Sequence, residues 1–425
     1  MNRSIVPIEA PVAEKTKSGR LDQWAKRVLF SLLGGLRRGR LHIIDGDEGY
    51  SFGESSKEFP LEATVTVYHP RFYRNTVFAG SIGAGEAYMA GQWAADDLTA
   101  VIRIIILNRD VLEGMEAGLA RLATPLYRFF HFLHSNTKKG SRANIAAHYD
   151  LGNDFYELFL DETLTYSCGI FQREDSTLLE ASLAKYDRIC KKLQLSPVDH
   201  VLEIGTGWAG FAIYAAQNYG SRITTTTISK AQYGHARERI RQAGVADHVE
   251  LLLKDYRDLK GKYGKLVSIE MIEAVGHQYL DSFFHSCSKL LKDDGMMLLQ
   301  AITIADQVFD HHKRSVDFIK RYIFPGSCIP SIAAMGRSIA RATDLRLFHL
   351  EDITPHYVRT LRHWRERFFA RIDEIRELGY SETFIRMWEY YLCYCEAGFM
   401  ERYLGDVQML LTKPACRRLP LLPSL

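Results

Sequence analysis

The sequence predicts an α/β protein, a mostly parallel sheet with flanking helices, preceded by a smaller α+β domain. Three observations lead there. From residue 146 onward the apolar runs VLEIG, RITTTTI, VELLL, LVSIEM and GMMLLQAITI alternate with helical patterns, the sequence form of parallel strands joined by crossover helices. The first run ends in a glycine-rich turn, VLEIGTGWAG (201 to 210), which opens the helical stretch FAIYAAQNY. Before residue 134 the pattern differs: TVTVY (64 to 68) alternates with period two and Gly80, Gly83 and Gly85 cluster, which predicts short strands and turns over 41 to 95.

Taken in order, the chain begins with a basic stretch. Residues 1 to 40 hold nine Lys or Arg against three Asp or Glu, although the whole 425-residue chain is nearly balanced at 54 against 51. Within it Leu21, Trp24, Ala25, Val28, Leu29, Leu32, Leu33 and Leu36 recur at helical spacing, with Lys26, Arg27, Arg37 and Arg38 outside the stripe. A basic amphipathic helix over 21 to 38 follows, able to lie in an anionic lipid interface or to cover its own domain's core. A helical segment is expected from Leu98 to Leu133, then a polar linker at 136 to 145 containing Lys138, Lys139 and Gly140. This divides the chain into an accessory, lipid-binding domain (1 to 135) and a catalytic domain (146 to 415). The N-terminus lacks a secretory signal pattern, and no uncharged apolar run is long enough to span a bilayer. The seven cysteines form no CxxC pair, so neither a disulfide framework nor a zinc site is expected, and a cytoplasmic setting fits.

GxGxxG is satisfied at Gly205, Gly207 and Gly210, a form shared by several nucleotide binders. A dinucleotide site needs an acid at the end of the next strand for the ribose hydroxyls, and that place reads TTTTIS (224 to 229). Glu203 instead stands two residues before Gly205, where a carboxylate suits the ammonium group of S-adenosylmethionine (SAM), which NAD lacks. After VELLL, Asp255 and Tyr256 are placed to meet an adenine, as acceptor and stacking partner.

The glycine turn is one of several ordered motifs. HYDLGNDFYELFLDETLTYSCGIF (148 to 171), SIEMIEAVG (268 to 276), YIFPGSCIP (322 to 330) and YYLCYCEAGF (390 to 399) accompany it, and together they resemble the cyclopropane-fatty-acyl-phospholipid synthases and the related cyclopropane mycolic acid synthases over about residues 60 to 410. GEAYMAGQW (85 to 93) is similar to the N-terminal domain of the phospholipid-acting branch. The resemblance implies a class I SAM-dependent methyltransferase of Rossmann-like fold that adds a methylene group to the cis double bond of unsaturated phospholipid acyl chains, giving cyclopropane fatty acids. A C-methyltransferase leaving a methylene- or methyl-branched chain is the alternative. By the same resemblance Tyr166, Ser167, Glu203, Gly205, Gly207, Thr227, Gln232, Tyr256 and Ile269 contact SAM. A bicarbonate ion would serve as base, held by the backbone amides of Cys168 and Ile302, by Glu273 and by Tyr357. Where relatives carry His, this chain has Gln300, which can donate a hydrogen bond but cannot become cationic, and the product is in question for that reason. Cys395 matches the cysteine assigned to the family's active site, with a buried small hydrophobe as the alternative, and His148 either orients the loop over SAM or pairs in the core.

The chemistry asks for a dry pocket that does not quench a carbocation and a base within reach of the new methyl. The rings of Tyr322, Phe324, Trp364, Phe368, Phe369, Trp388, Tyr390 and Tyr391 suit such a pocket, though each serves equally as core. A lipid-binding protein without turnover is the competing class, and the acids Glu203 and Glu273 together with Tyr357 argue against it. An rRNA methyltransferase is disfavoured because the basic excess sits on a leucine-bearing helix. The expected partners are the inner face of a phospholipid membrane, bound peripherally, and the unsaturated phospholipid, with no nucleic acid; a homodimer is left open.

Overall fold

The computed structural model describes residues 18–117, 140, 152–419 and 421. The linker expected at 136 to 145 (Gly140 apart), His148 and the basic residues before 18 lie outside them. The chain forms two compact units. The first takes the described residues of Met1–His131 with Ser315–Ile323 and Trp364–Tyr403, and the second takes those of Phe132–Arg314, Phe324–His363 and Leu404–Leu425. The sequence assigned 315 to 323 and 364 to 403 to the catalytic domain; in the structure they complete the N-terminal one.

In the first unit β1 (Gly39–Asp45), β2 (Glu48–Glu54), β3 (Glu62–Val67) and β4 (Trp93–Ala95) form a sheet in the order β2-β1-β3-β4, with β1 and β3 parallel. Period-two alternation places Leu41, Ile43, Ala63, Val65 and Val67 inside. The expected basic helix is present at Arg20–Leu33, and half of its stripe covers this unit's own core: Ala25, Leu29 and Leu33 are buried, as is Leu36 beyond the helix. Leu21 and Trp24 stay exposed, at 47% and 38%. Lys26 does not face solvent freely. It pairs with Asp45 at 2.7 Å and lies over the Tyr50 ring.

The glycine cluster is helical rather than a set of strands and turns. One long helical segment, Arg71–Met89, is broken at Gly80, which takes φ 57° and ψ −137°, a conformation open to glycine and costly to other residues. Gly85 answers a different need, since a Cβ there would stand 2.6 Å from Cδ2 of Phe318. Glycines that allow a break and a close approach carry no strand signal of their own. Of the helical segment expected from Leu98 to Leu133, Leu98–Leu107 and Arg109–Ala117 are helical, and 118–133 lie outside the described residues. Helix Glu382–Met400 packs on Leu98–Leu107 and Arg71–Met89, and buried polar pairs fasten it: Tyr88 to Glu389 at 2.5 Å, and Arg365 to Glu396 at 3.0 Å.

The second unit holds β5 (His200–Ile204), β6 (Arg222–Thr227), β7 (Val249–Leu253), β8 (Tyr263–Ile269), β9 (Leu291–Ile304), β10 (Arg346–Asp352) and β11 (Leu404–Thr412), in the order β10-β11-β9-β8-β5-β6-β7. The five strands β5 to β9 run parallel, and β11 is antiparallel to both β9 and β10. Val201, Leu202, Leu266, Val267, Leu298, Leu299 and Leu410 are fully buried in its core. The run of four threonines in β6 is tolerated inside because every hydroxyl has a partner: Glu250 for Thr224, Glu203 for Thr225, the Lys254 carbonyl for Thr226 and Gln232 for Thr227. Chain order reverses between β5 and β8, and a doubly wound sheet binds its ligand at the carboxyl ends of the strands beside such a switch.

Gly85→Ala should destabilise the first unit by about 1 to 3 kcal/mol through overpacking against Phe318, despite alanine's better helix propensity. A lower midpoint in chemical unfolding is the expected result.

Candidate active site

The glycine turn leaves β5 with Gly205 at φ 101° and Gly207 at φ 53°, and a Cβ on Gly207 would meet nothing within 4 Å. Bare backbone therefore faces open space. The turn is pinned from below, where the amides of Gly205 and Thr206 donate to the Thr226 carbonyl at 3.1 and 3.0 Å. Beneath it Glu203 is 2% exposed and accepts from the Thr225 hydroxyl at 2.6 Å. Burial pushes its carboxyl up to about 8, against the opposing pull of Thr225 and Lys185. A buried acid below an open glycine turn fits a ligand that brings its own ammonium group.

The remaining cofactor candidates lie at the same end of the sheet. Thr227 ends β6 and donates to Gln232 at 2.9 Å. Asp255 follows β7, and the Arg257 guanidinium grips both its oxygens, Nε at 2.9 Å and Nη2 at 2.7 Å, so its acceptor capacity is shared. Tyr256 stands edge-on to Phe283 at 5.6 Å. Ile269 closes β8. Tyr166 packs edge-on to Tyr156 at 5.3 Å, and Ser167 accepts from the Lys185 ammonium at 2.7 Å. Lys185 is fully buried, and burial lowers its affinity for its proton while Glu270, Cys168, Asp161 and Asp406 raise it.

The residues expected around the base come together, but around a group the sequence reading did not single out. Glu270, just past β8, has φ 46°, a left-handed conformation that costs a residue with a Cβ roughly 1 to 2 kcal/mol. That conformation accompanies a carboxylate fed from three sides. Its Oε1 accepts from the Cys168 amide at 2.9 Å and from Gln300 Nε2 at 2.7 Å, and its Oε2 accepts from the Tyr357 hydroxyl at 2.7 Å. Gln300 is fully buried on β9, directly opposite Gln408 on β11. Gln408 donates to Gln300 Oε1 at 3.0 Å, which orients the amide so that its NH₂ faces the carboxylate.

Glu273 turns to a different donor. Its Oε1 accepts from the Ile302 amide at 2.6 Å, while its Oε2 is buried and has no partner among the described residues. Burial, and then the neighbouring Glu270, push its carboxyl up to about 8. Asp406 on β11 is fully buried, with Oδ2 3.3 Å from Gln300 Nε2, and the same two causes, with Glu273 added, hold it well above the carboxylate range. The Cys168 thiol is also pushed up by burial and points to the Gly169 carbonyl.

A free bicarbonate does not fit this donor set. The amide of Cys168, the Gln300 amide and the Tyr357 phenol all converge on Glu270, the Ile302 amide is taken by Glu273, and an added anion would meet three carboxyl groups. Cys395 stands on Glu382–Met400 in the first unit, where burial and Asp317 raise its thiol; nothing there makes it a nucleophile. Sequence reasoning missed Glu270, Asp406, Lys185 and Gln408. Only Glu270 left a signal, as the first acid of SIEMIEAVG, three residues before Glu273 at a strand end. Among the described residues no group of side chains is suited to hold a metal.

A seven-stranded sheet with one reversed strand, β11, beside its edge strand β10, and an open glycine turn after β5, defines a class I SAM-dependent methyltransferase. The chain belongs to the mycolic acid cyclopropane synthetase family, whose model matches residues 136–409. It is 40% identical over 341 residues to tuberculostearic acid methyltransferase UfaA1 of Mycobacterium tuberculosis, covering 79% of each chain. It is 37% identical over 353 residues to the cyclopropane-fatty-acyl-phospholipid synthase of Escherichia coli K12, covering 82% of this chain and 86% of the relative. The crystal structure of mycolic acid cyclopropane synthase CmaA1 complexed with SAH and CTAB superposes at TM-score 0.60 and 32% identity, over 64% of this chain and 98% of the other. The protein is thus a SAM-dependent enzyme of a family that alkylates lipid chains.

Glu273 gives a test of the electrostatics. Its folded-state value lies above its ordinary one near 4.5, so its contribution to stability is fully present below about pH 4.5 and is lost as pH rises through about 8. Glu273→Gln keeps the acceptor for Ile302 and removes the ionisation. Chemical unfolding at a series of pH values should show a shallower fall between about pH 5 and 8, by on the order of a few kcal/mol. Glu203 remains and keeps part of the slope.

Proposed function

We propose that the enzyme transfers the sulfonium methyl of SAM to a cis double bond of unsaturated phospholipid acyl chains, with the methylene-branched chain ahead of the cyclopropane as product. SAM supplies an electrophilic methyl with a neutral thioether as leaving group. The chain's own residues hold it and manage the charge that follows: Glu203 receives the ammonium under the bare backbone of Gly205 and Gly207, with Thr227, Gln232, Asp255 and Tyr256 placed for the ribose and adenine.

The observation that carries the choice of product is Glu270, a fixed acceptor for three donors in the place expected for a free anion. A cation formed on the acyl chain is stabilised electrostatically by a carboxylate in a water-poor site, and a carboxylate pinned by three donors cannot move to meet the methyl proton at once, which extends the cation's lifetime. A 1,2-hydride shift, which moves the charge to the tertiary carbon bearing the new methyl, then has time to precede proton loss. Loss of a methyl proton after the shift gives the methylene branch; loss before it closes the ring. The sequence reading put the ring first; the three-donor carboxylate is what favours the branched chain in this proposal. The similarity to tuberculostearic acid methyltransferase UfaA1 supports the branched product, and the similarity to the E. coli synthase supports both the phospholipid substrate and the ring as the second reading. No helix among the described residues is long and apolar enough to cross a membrane. Contact with a bilayer surface is proposed through the first helix, where Leu21 and Trp24 are exposed.

Glu203→Ala should weaken SAM binding about 10-fold to 100-fold, the worth of one charge-assisted hydrogen bond, measured by calorimetry on folded protein. The product is decided by mild catalytic hydrogenation of the acyl chains after reaction with SAM and unsaturated phospholipid vesicles. A methylene product takes up one equivalent of hydrogen and becomes a methyl-branched saturated chain, the expected outcome. A product of the same mass that resists hydrogenation is the ring and overturns the choice.

A further inference from the structure

We propose that Glu270 is the general base of this enzyme, a carboxylate built into the chain that takes the place of bicarbonate, so that turnover needs no dissolved anion. The assignment rests on the alkylation proposed above. Three carboxyl groups compete for the role. Glu273 is poorly suited, because its Oε2 is buried with no donor among the described residues and burial holds the group toward its neutral form. Asp406 is fully buried on β11 beside both glutamates. Glu270 differs in that both its oxygens accept, from Cys168, Gln300 and Tyr357, the pattern of the acceptor-only, ionised form. These are three of the groups expected to hold the external ion, and the side chain stands where they meet. Residue 270 also keeps φ 46°, strain of the kind retained at functional sites.

The proton balance closes without a co-reactant beyond SAM and the acyl chain. The π electrons of the double bond form the new C–C bond to the sulfonium methyl, and the C–S pair leaves with sulfur. The resulting cation loses one proton from the transferred methyl to a Glu270 oxygen. The C–H pair left behind becomes the second bond of the methylene after the hydride shift, or the closing bond of the ring without it. Glu270, now a neutral carboxyl, returns its proton to water when the product leaves.

Two variants and two readouts test this. Glu270→Gly suits the left-handed backbone at that position and removes the side chain from its three donors, recreating a site for an anion. Glu270→Gln keeps the volume filled and removes the charge. In the first readout, ¹³C-labelled bicarbonate is titrated into each protein and followed by NMR. Wild type and Glu270→Gln should show no saturable binding and Glu270→Gly should show it; saturable binding to wild type, or none to Glu270→Gly, overturns the proposal. The second readout is turnover in buffer stripped of carbon dioxide, with SAM affinity measured alongside. Wild type should be indifferent to added bicarbonate. Both variants should lose about 100-fold or more, the usual worth of a positioned base, at unchanged SAM affinity, and bicarbonate should restore Glu270→Gly but not Glu270→Gln. A wild type that depends on bicarbonate, or a Glu270→Gly that turns over fully without it, overturns the proposal. A wild type that alkylates no unsaturated phospholipid overturns the function proposed above, and the NMR titration still decides whether Glu270 excludes the ion.

Discussion

Three carboxyl groups cannot all be ionised in one water-poor volume, and the second unit is arranged around that constraint. Glu270, Glu273 and Asp406 arrive from the loop after β8 and from β11, and burial together with mutual repulsion pushes Glu273 and Asp406 toward their neutral forms. The donors sort accordingly, three of them to Glu270. Lys185, fully buried against Ser167, adds a positive charge whose influence reaches Glu270, Asp406 and Cys168. Such a pocket can stabilise a passing cation while holding little net charge of its own.

Much of the second unit was legible in the sequence because its signals are local. Each apolar run became a strand, the glycine turn became the bare-backbone turn, and the threonine run became a strand whose hydroxyls are all engaged. Glu270 was not legible for a physical reason. A carboxylate's importance here comes from Cys168, Gln300 and Tyr357, which lie 102, 30 and 87 positions away, and no spacing rule brings those together. Asp255 shows the opposite failure. Its position after β7 was evident, but the grip of Arg257 two residues on was not.

The first unit was harder to read because it is assembled from three stretches of chain. Its helix Glu382–Met400 carries aromatic residues that suit a cation pocket on composition alone, yet Trp388, Tyr390 and Tyr391 are buried within this unit, and Tyr390 packs at a tilt against Phe318 and Tyr88. Buried pairs such as Tyr88 with Glu389 join residues about three hundred positions apart. The glycine cluster misled for a related reason: Gly85 is small to admit Phe318, a residue more than two hundred positions later.

Gln300 is one link in a line of oriented groups that reaches the surface. Glu351, held by Arg188 and Lys192, fixes the Lys192 ammonium, which donates to Gln408 Oε1; Gln408 Nε2 donates to Gln300 Oε1, and Gln300 Nε2 donates to Glu270. An amide has a donor end and an acceptor end, so every member of the line points the same way, and turning either glutamine over would set like ends against each other at both of its contacts. The ammonium of Lys192 thus sets the polarity of a hydrogen bond at the carboxylate three links away. A residue with another arrangement of donors at 300 demands another at 408, and the two positions are a single choice written twice in the chain.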